Sequence, residues 1–449
     1  MKAGFAKNDI TPRIGVELCG FGPFICRHSI GIRDRLWARA MALEKNGKKA
    51  LIISCDLVGT SLDITRKTRK LICTATGIKE DAIMICSTHT HSGPNTGPYI
   101  GWGAPDEPYK ETLPMRIAKA GIEAINNLTG AEMFHAEVPC EGIGQNREYD
   151  KDALPLEVVL RDDWRPEKPG LTDTTCHVIA VRTTGGKLLG FASYFGCHPV
   201  VCCAATRYIH GDYCGIATNQ IERDYDNAVG LFFQGANGDV NTCVVHKPEQ
   251  ESLLALDIIA GRYAKAVRHG LLEAKLMEVD EIDYARKEVV FSRKKWDLTK
   301  LKTLLVEKEA KLLIPDITDD YSTHDWRLRM EMVYIIALRD LVKRAERGES
   351  LEPATEIHGM KVGPLSLLGS PFETFQAIKN DIRESAKSKI PLVISLVNDS
   401  VGYAPDRTAA VRGGYAADMV PLICGQLPFA DIHNELVDNL LKLDAELNR

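Results

Sequence analysis

The sequence predicts an α/β fold: a mixed or mainly parallel sheet core flanked by helices, with chemistry gathered at the carboxyl ends of the strands. Two observations carry this. Short apolar runs, β-branched or aromatic and bounded by Gly, Asp or Asn, recur along the chain, and helical patterns fall between many of them. Most of these runs also end in polar residues, and open α/β sheets place ligand sites at those ends.

The runs are 50–55 (ALIISC), 82–86 (AIMIC), 178–181 (VIAV), 188–195 (LLGFASYF), 229–233 (VGLFF), 364–368 (PLSLL) and 392–397 (LVISLV). Helical periodicity covers 63–76, 111–126, 215–225 and 253–271. Segment 294–347 is different: rich in Lys, Glu, Leu and Arg, it reads as two charged amphipathic helices around 314–322, a helical insertion whose charges form a solvated face. No repeat, low-complexity tract or Pro/Ser-rich linker divides the 449 residues, so one catalytic domain over 1–449 is expected.

Composition excludes several function classes. Hydrophobic content of 45% and charged content of 26% are those of an ordinary globular protein. A net charge of -5 gives no footprint for nucleic acid or an anionic membrane. No apolar stretch is long enough for a transmembrane helix. The N-terminus lacks the apolar core of a signal peptide, and thirteen cysteines lie without framework spacing. Together these point to reduced thiols in a cytoplasmic protein. Cys197, Cys202, Cys203 and Cys214 cluster in sequence, but their spacing fits no standard zinc pattern.

The chemistry-bearing ends are specific. Run 82–86 leads into STHTHSGP (87–94), and run 188–195 into Gly196-Cys197-His198-Pro199. Run 229–233 leads into QGANGDVN, 364–368 into GSPFE ending at Glu373, and 392–397 into NDSVGY ending at Tyr403. In extended chain, His89 and His91 share a face and can approach one centre. By itself the pair is as consistent with two structural histidines as with a metal site. His198 and Glu373 closing other strands weight it toward a metal, because His/His/Glu with an open position is a ligand set of hydrolytic zinc. Taken singly, His198 reads as a capped core histidine and Glu373 as a first-turn helix residue.

The ordered set of motifs resembles the neutral/alkaline non-lysosomal ceramidases, specifically their catalytic domain. The matching stretches are GFAKNDITPRIG (4–15), CDLVGTS (55–61), STHTHSGP (87–94), QNR (145–147), GCHPVV (196–201), HGDYCG (210–215), FFQGANGDVN (232–241), PFETF (371–375) and GYAPDRTAAVRGGY (402–415). The resemblance implies a zinc-dependent hydrolase of an N-acyl amide bond with one Zn2+ per chain. It implies His89, His198, Glu373 and Tyr403 as zinc ligands, with Glu373 aligned through PFE in place of the family's Pro-Gly-Glu. His91 then faces the reacting carbonyl and water, and Arg147 and Tyr415 line the active centre. Asp56 and Asp212 are expected behind the ligands, as a partner for a histidine and as a helix cap. Without the resemblance, Arg147 reads as a surface ion pair with Glu148 or Asp150, and Tyr415 as a packed aromatic at a helix start.

Three departures from the family bear on the substrate. The loop after FFQGANGD carries Asn241 where the family commonly has serine, which disfavours a serine nucleophile there and leaves metal-activated water untouched. The chain ends in a helical segment, 428–449, with no room for the immunoglobulin-like domain of the long secreted enzymes. No signal peptide is expected from the N-terminal residues. The substrate expected is therefore a small molecule or acyl amide, ceramide being one candidate. Aromatics Tyr99, Trp102 and Tyr109 in loop 94–109 are expected at its mouth. Alternatives are an esterase or lactonase at the same metal, a non-catalytic ligand-binding protein on this fold, and a metal-dependent amidohydrolase barrel. The barrel is disfavoured because STHTHSGP follows at least one earlier strand. Oligomeric state is not legible in the sequence.

Overall fold

The structure, a computed structural model, describes residues 1–149, 154–226, 228–313 and 326–449. Two sheets pack face to face, with helices on each outer side. In spatial order the large sheet runs Val229–Gln234, Leu188–Phe195, Thr175–Thr183, Thr129–Pro139, Lys2–Asp9, Trp37–Lys45, Lys48–Cys55 and Ile83–Ser87. Lys275–Met277 pairs with Thr129–Pro139 off this path. The smaller sheet runs Ile282–Val290, Ala354–Val362, Leu365–Gly369 and Ile390–Ile394.

Period-two alternation sorts each strand's side chains between the two faces. Ile52, Met84, Ile179, Leu231 and Phe233 face inward, against Met360, Leu367, Leu392 and Ile394 of the smaller sheet. Their neighbours Leu51, Ile53 and Ile85 face helices Leu62–Thr76 and Glu107–Asn126. Val178, Phe191 and Phe232 face Asp212–Asp224 and Glu249–Glu273. On the far side, Ile357, Leu368 and Val393 meet Gln376–Ser385 and Ile432–Leu447. The terminal helix expected in 428–449 is thus present.

The mixed sheet flanked by helices is as the sequence predicts. Its weighting is not mainly parallel. Only Lys48–Cys55 with Ile83–Ser87, and Val229–Gln234 with Leu188–Phe195, are parallel in the large sheet. The reason is local. Lys2–Asp9 and Trp37–Lys45 have only short apolar runs (AGFA, AMAL) without β-branched residues, and Thr129–Pro139 mixes apolar with polar residues, so the strong β-branched and aromatic signature of a strand is missing from them. They form the antiparallel centre. A two-residue turn at Asn46 and Gly47, with φ of 52° and 77°, folds Trp37–Lys45 back onto Lys48–Cys55. Runs 364–368 and 392–397, expected in the same sheet, lie in the second one.

The charged segment forms Leu298–Lys311 and Trp326–Glu346, as expected; its connection at 314–322 lies outside the described residues. One face of these helices is not solvated. Leu301, Met330, Val333, Ala337 and Leu341 pack with Cys19, Val58, Trp102 and Tyr403 around the polar strand ends.

Where the two sheets meet, buried Arg69 ties helix, large sheet and small sheet together. It donates to the Ile83 carbonyl (3.1 Å) and to Glu356 (2.8 Å), whose other oxygen takes Arg286 (2.6 Å). Arg69→Ala leaves Glu356 buried beside a void. It should cost about 3–5 kcal/mol, read by denaturant titration. Asp399 accepts from the amides of Ser400 and Leu62, and burial pushes its pKa up to about 6. The folded state therefore favours its protonated form. Its contribution is full below about pH 4 and is lost as pH rises through about 6. Asp399→Asn should gain stability on the unmodified protein across that window, measured as the difference in unfolding free energy at each pH.

Candidate metal centre

STHTHSGP begins as the last residue of Ile83–Ser87 and then leaves the sheet. The His89 amide bonds the Leu57 carbonyl (2.8 Å), and His89 sits in the left-handed region at φ 71°. A non-glycine residue there is strained, and such strain persists where surroundings over-determine it. The two imidazoles therefore meet across a kink, not along an extended strand: His89 Nε2 and His91 Nε2 are 3.2 Å apart.

His198 follows Leu188–Phe195 and is gripped by the loop after Val229–Gln234. Its amide donates to the Val240 carbonyl (2.9 Å), and its Nδ1 lies 2.6 Å from the Asn237 carbonyl. Glu373 and Tyr403 are cross-strand neighbours, because Glu373–Thr374 and Tyr403–Ala404 pair in parallel with those two residues in register. All four groups converge. Glu373 Oε2 is 2.8 Å from His198 Nε2 and 3.2 Å from His89 Nε2, and the Tyr403 hydroxyl is 3.4 Å from His198 Nε2.

These separations fit one ion. Donors about 2.0–2.1 Å from a tetrahedral zinc lie roughly 3.3 Å from one another. The donor set, imidazole nitrogen with carboxylate and phenol oxygen, suits zinc as well. His89, His91 and His198 form one cluster of potential ligands, all within 4.8 Å. Their outer nitrogens differ. His89 Nδ1 is 2.5 Å from the Val58 carbonyl, and His198 Nδ1 is held as described. A carbonyl on Nδ1 puts the proton there and leaves the Nε2 lone pair for a metal. His91 Nδ1 is buried with no hydrogen-bond partner. Burial, with His89 and His198 close by, holds the His91 pKa well below the usual value, so its ring is neutral. Burial favours protonated Glu373, but His89 and His198 beside it win and hold its pKa well below the ordinary one.

Among the described residues Arg147 makes no ion pair; Asp150, its other expected partner, lies outside them. Glu148 is taken by Arg412. Arg147 donates from Nη2 to the Gly238 carbonyl (2.6 Å), and its guanidinium lies 4.7 Å from the Tyr403 ring and 6.0 Å from the Tyr415 ring. Tyr415 stands partly exposed at the mouth, 6.0 Å from the Tyr403 ring. Of the mouth aromatics, Tyr99 and Trp102 line the centre's cavity, while Tyr109 is buried elsewhere and donates to the Ile10 carbonyl. Asn241 lines the outer cavity.

Asp56 does not orient a histidine; it binds Arg39 (2.7 Å) and the Trp37 amide (3.0 Å). A second group, Cys202, His210 and Asp212, packs within 4.8 Å. There His210 Nδ1 accepts the Asp212 amide (3.1 Å), which leaves the ring proton on Nε2 and makes His210 a cap for the helix beginning at Asp212. The clustered cysteines are free buried thiols.

The sequence reading missed Gly20, Phe21, Arg27, His246 and Trp326. Phe21, His246 and Trp326 line the outer cavity, and Arg27 donates to the carbonyls of Cys19 and His91 (both 3.1 Å). The run Gly20-Phe21-Gly22-Pro23 was the available signal, since such runs mark close backbone approach.

A sequence profile described as "Neutral/alkaline non-lysosomal ceramidase, N-terminal" matches residues 1–251, more than half of the chain. The chain belongs to this family. The neutral ceramidase of Pseudomonas aeruginosa is 24% identical over 258 residues, 55% of this chain and 37% of that protein, so the match spans little more than a third of the relative. A solved structure of neutral ceramidase from Pseudomonas aeruginosa superposes with a TM-score of 0.74 at 17% identity, covering 99% of this chain and 74% of that one. A ceramidase complexed with C2 gives 0.74 at 16%, covering 100% and 75%. At that identity the likeness establishes the shared fold.

Gly20 has φ 99°, and a Cβ there would lie 2.4 Å from His91 Nδ1. Gly20→Ala should displace His91 while leaving His89 and His198 on their carbonyls. The His91 ring resonances should shift in the NMR spectrum while those of His89 and His198 stay in place; unmoved His91 resonances would contradict the close approach.

Proposed function

We propose that this protein is a zinc-dependent hydrolase of an acyl amide bond, with one ion per chain held by His89, His198, Glu373 and Tyr403. The observation that supports it most is the chain of close donor contacts, His89 to Glu373, Glu373 to His198 and His198 to Tyr403, each 3.4 Å or less, with both ligand imidazoles fixed through Nδ1 by backbone carbonyls. Zinc in such a set supplies Lewis acidity toward a carbonyl oxygen and brings the acidity of water near neutral pH.

The chain's own residues do the rest. His91, neutral and facing the same point through Nε2, takes a proton as the tetrahedral centre forms and returns it to the departing amine nitrogen. Arg147 and Tyr415 donate to substrate oxygen from the open side. The phenol of Tyr415 is a donor at neutral pH. The Arg147 guanidinium, 4.7 Å from the Tyr403 ring, opposes the effect of burial on that phenol and favours its anionic form. Asn241 offers a hydrogen bond and no nucleophile.

We read residues 1–449 as one catalytic domain with Leu298–Lys311 and Trp326–Glu346 as an insertion closing the site. All thirteen cysteines are free, which supports a reducing, cytoplasmic setting. Among the described residues no helix is long and apolar enough to cross a membrane.

His89→Ala and His198→Ala should each lose the bound zinc by elemental analysis. His91→Ala should keep it and lose activity on a panel of acyl amides, by about 100-fold or more. Equal zinc loss in all three variants contradicts the division of roles. Turnover of esters or lactones with none of amides contradicts the bond assignment.

A further inference from the structure

We propose that the substrate is a short-chain N-acyl amide whose amine half carries a carboxylate. This rests on the amide-hydrolase reading and narrows it to one substrate class.

Two cavities meet at the metal donors, and His91, Trp102, Tyr403 and Tyr415 border both. The inner one measures about 40 Å³. On a scale where one water needs about 10–15 Å³, it admits roughly three waters. Its floor is Cys19, Val58, Val420 and Ile423, apolar and buried. The floor residues belong to one packed core that also holds Met330, Val333 and Ala337 of Trp326–Glu346. Such a pocket holds an acetyl or propionyl group. A fatty chain would have to displace a packed core.

The outer cavity measures about 400 Å³ and has a different character. Arg147, Asn241, His246 and Tyr415 present polar atoms to it, and among the described residues no Asp or Glu lines it. Among the described residues, no carboxylate lies within ion-pair distance of Arg147, because Glu148 is engaged by Arg412. The guanidinium commits Nη2 to the Gly238 carbonyl and has further donors to offer. A cation held at a cavity wall without a counter-ion is costly unless the ligand supplies one. A carboxylate matches the guanidinium fork, with Asn241 and His246 at hand as further polar partners. An aliphatic chain in the same place would bury that charge unpaired. The carbonyl at the metal donors therefore points its small acyl group inward and its acidic amine half toward Arg147.

The test compares kcat/KM on N-acetyl amino acids, their C-terminally amidated counterparts, N-octanoyl amino acids and a long-chain ceramide. The free acid should exceed the amidated form by at least about 10-fold, the worth of a charge-assisted hydrogen bond. Acetyl should exceed octanoyl by at least about 10-fold, the cost of overpacking. Arg147→Met should lower both rates and bring the ratio of acid to amidated substrate to about one; Arg147→Lys should restore part of that ratio. Equal rates on acid and amidated forms, or on acetyl and octanoyl forms, overturn the substrate class and leave the amide-hydrolase reading standing. Absence of turnover on the whole panel removes the amide-hydrolase reading itself. Calorimetry of N-acetyl amino acids against their amidated forms then decides: preferential binding of the acid, lost in Arg147→Met, supports the carboxylate site, and equal or absent binding overturns it.

Discussion

Two backbone carbonyls, those of Val58 and Asn237, set the character of this site. Each takes the Nδ1 proton of one histidine, His89 at 2.5 Å and His198 at 2.6 Å, and so turns each Nε2 lone pair toward the same point. A side chain in that position could rotate away. A carbonyl cannot, because its peptide is fixed by neighbouring secondary structure. The left-handed backbone at His89 belongs to the same arrangement: it aims the ring back at Val58 instead of along the strand. The strain is offset by the amide bond from His89 to Leu57 and by burial of the whole turn.

The loop at 237–240 carries most of the remaining positioning. Its carbonyls hold both nitrogens of the His198 grip, the Arg147 guanidinium and the Arg147 amide. Its Gly238 amide bonds Thr374, next to Glu373, and a Cβ at Gly238 would lie 2.4 Å from the Glu373 carbonyl. Asp239 accepts the Gln376 amide and the Asn146 side chain. One short loop thus sets a histidine, an arginine and a carboxylate relative to each other. The last pair of groups is set by strand register, since Glu373 and Tyr403 are direct partners. Any slip of that two-residue ladder would separate them.

Much of this was legible in the sequence, for a physical reason. Buried strands of both sheets announce themselves as apolar runs, and the residues just beyond them are the ones a sheet edge gathers. His89, His91, His198, Glu373, Tyr403, Arg147 and Tyr415 do come together. What was not legible is equally instructive. Lys2–Asp9 and Thr129–Pro139 are central strands with little β-branched or aromatic signature, so the antiparallel middle and the second sheet were hidden. The i, i+2 rule placed His89 and His91 on one face for the wrong backbone geometry. Gly20, Arg27 and Trp326 act through approach and shape, which neither charge nor periodicity records. Trp326–Glu346 looked like a solvated insertion because its polar face dominates its composition, while its apolar face packs in one core with Cys19, Val58 and Tyr403.

The central claim is that the ion sits among two imidazoles, one carboxylate and one phenol, with His91 outside its coordination. X-ray absorption at the zinc edge of the metal-loaded protein reads this directly. The account predicts a shell of nitrogen and oxygen only, outer scattering from two imidazoles, and the same imidazole count in His91→Ala. A third imidazole lost in that variant, or a sulfur in the shell, would contradict it.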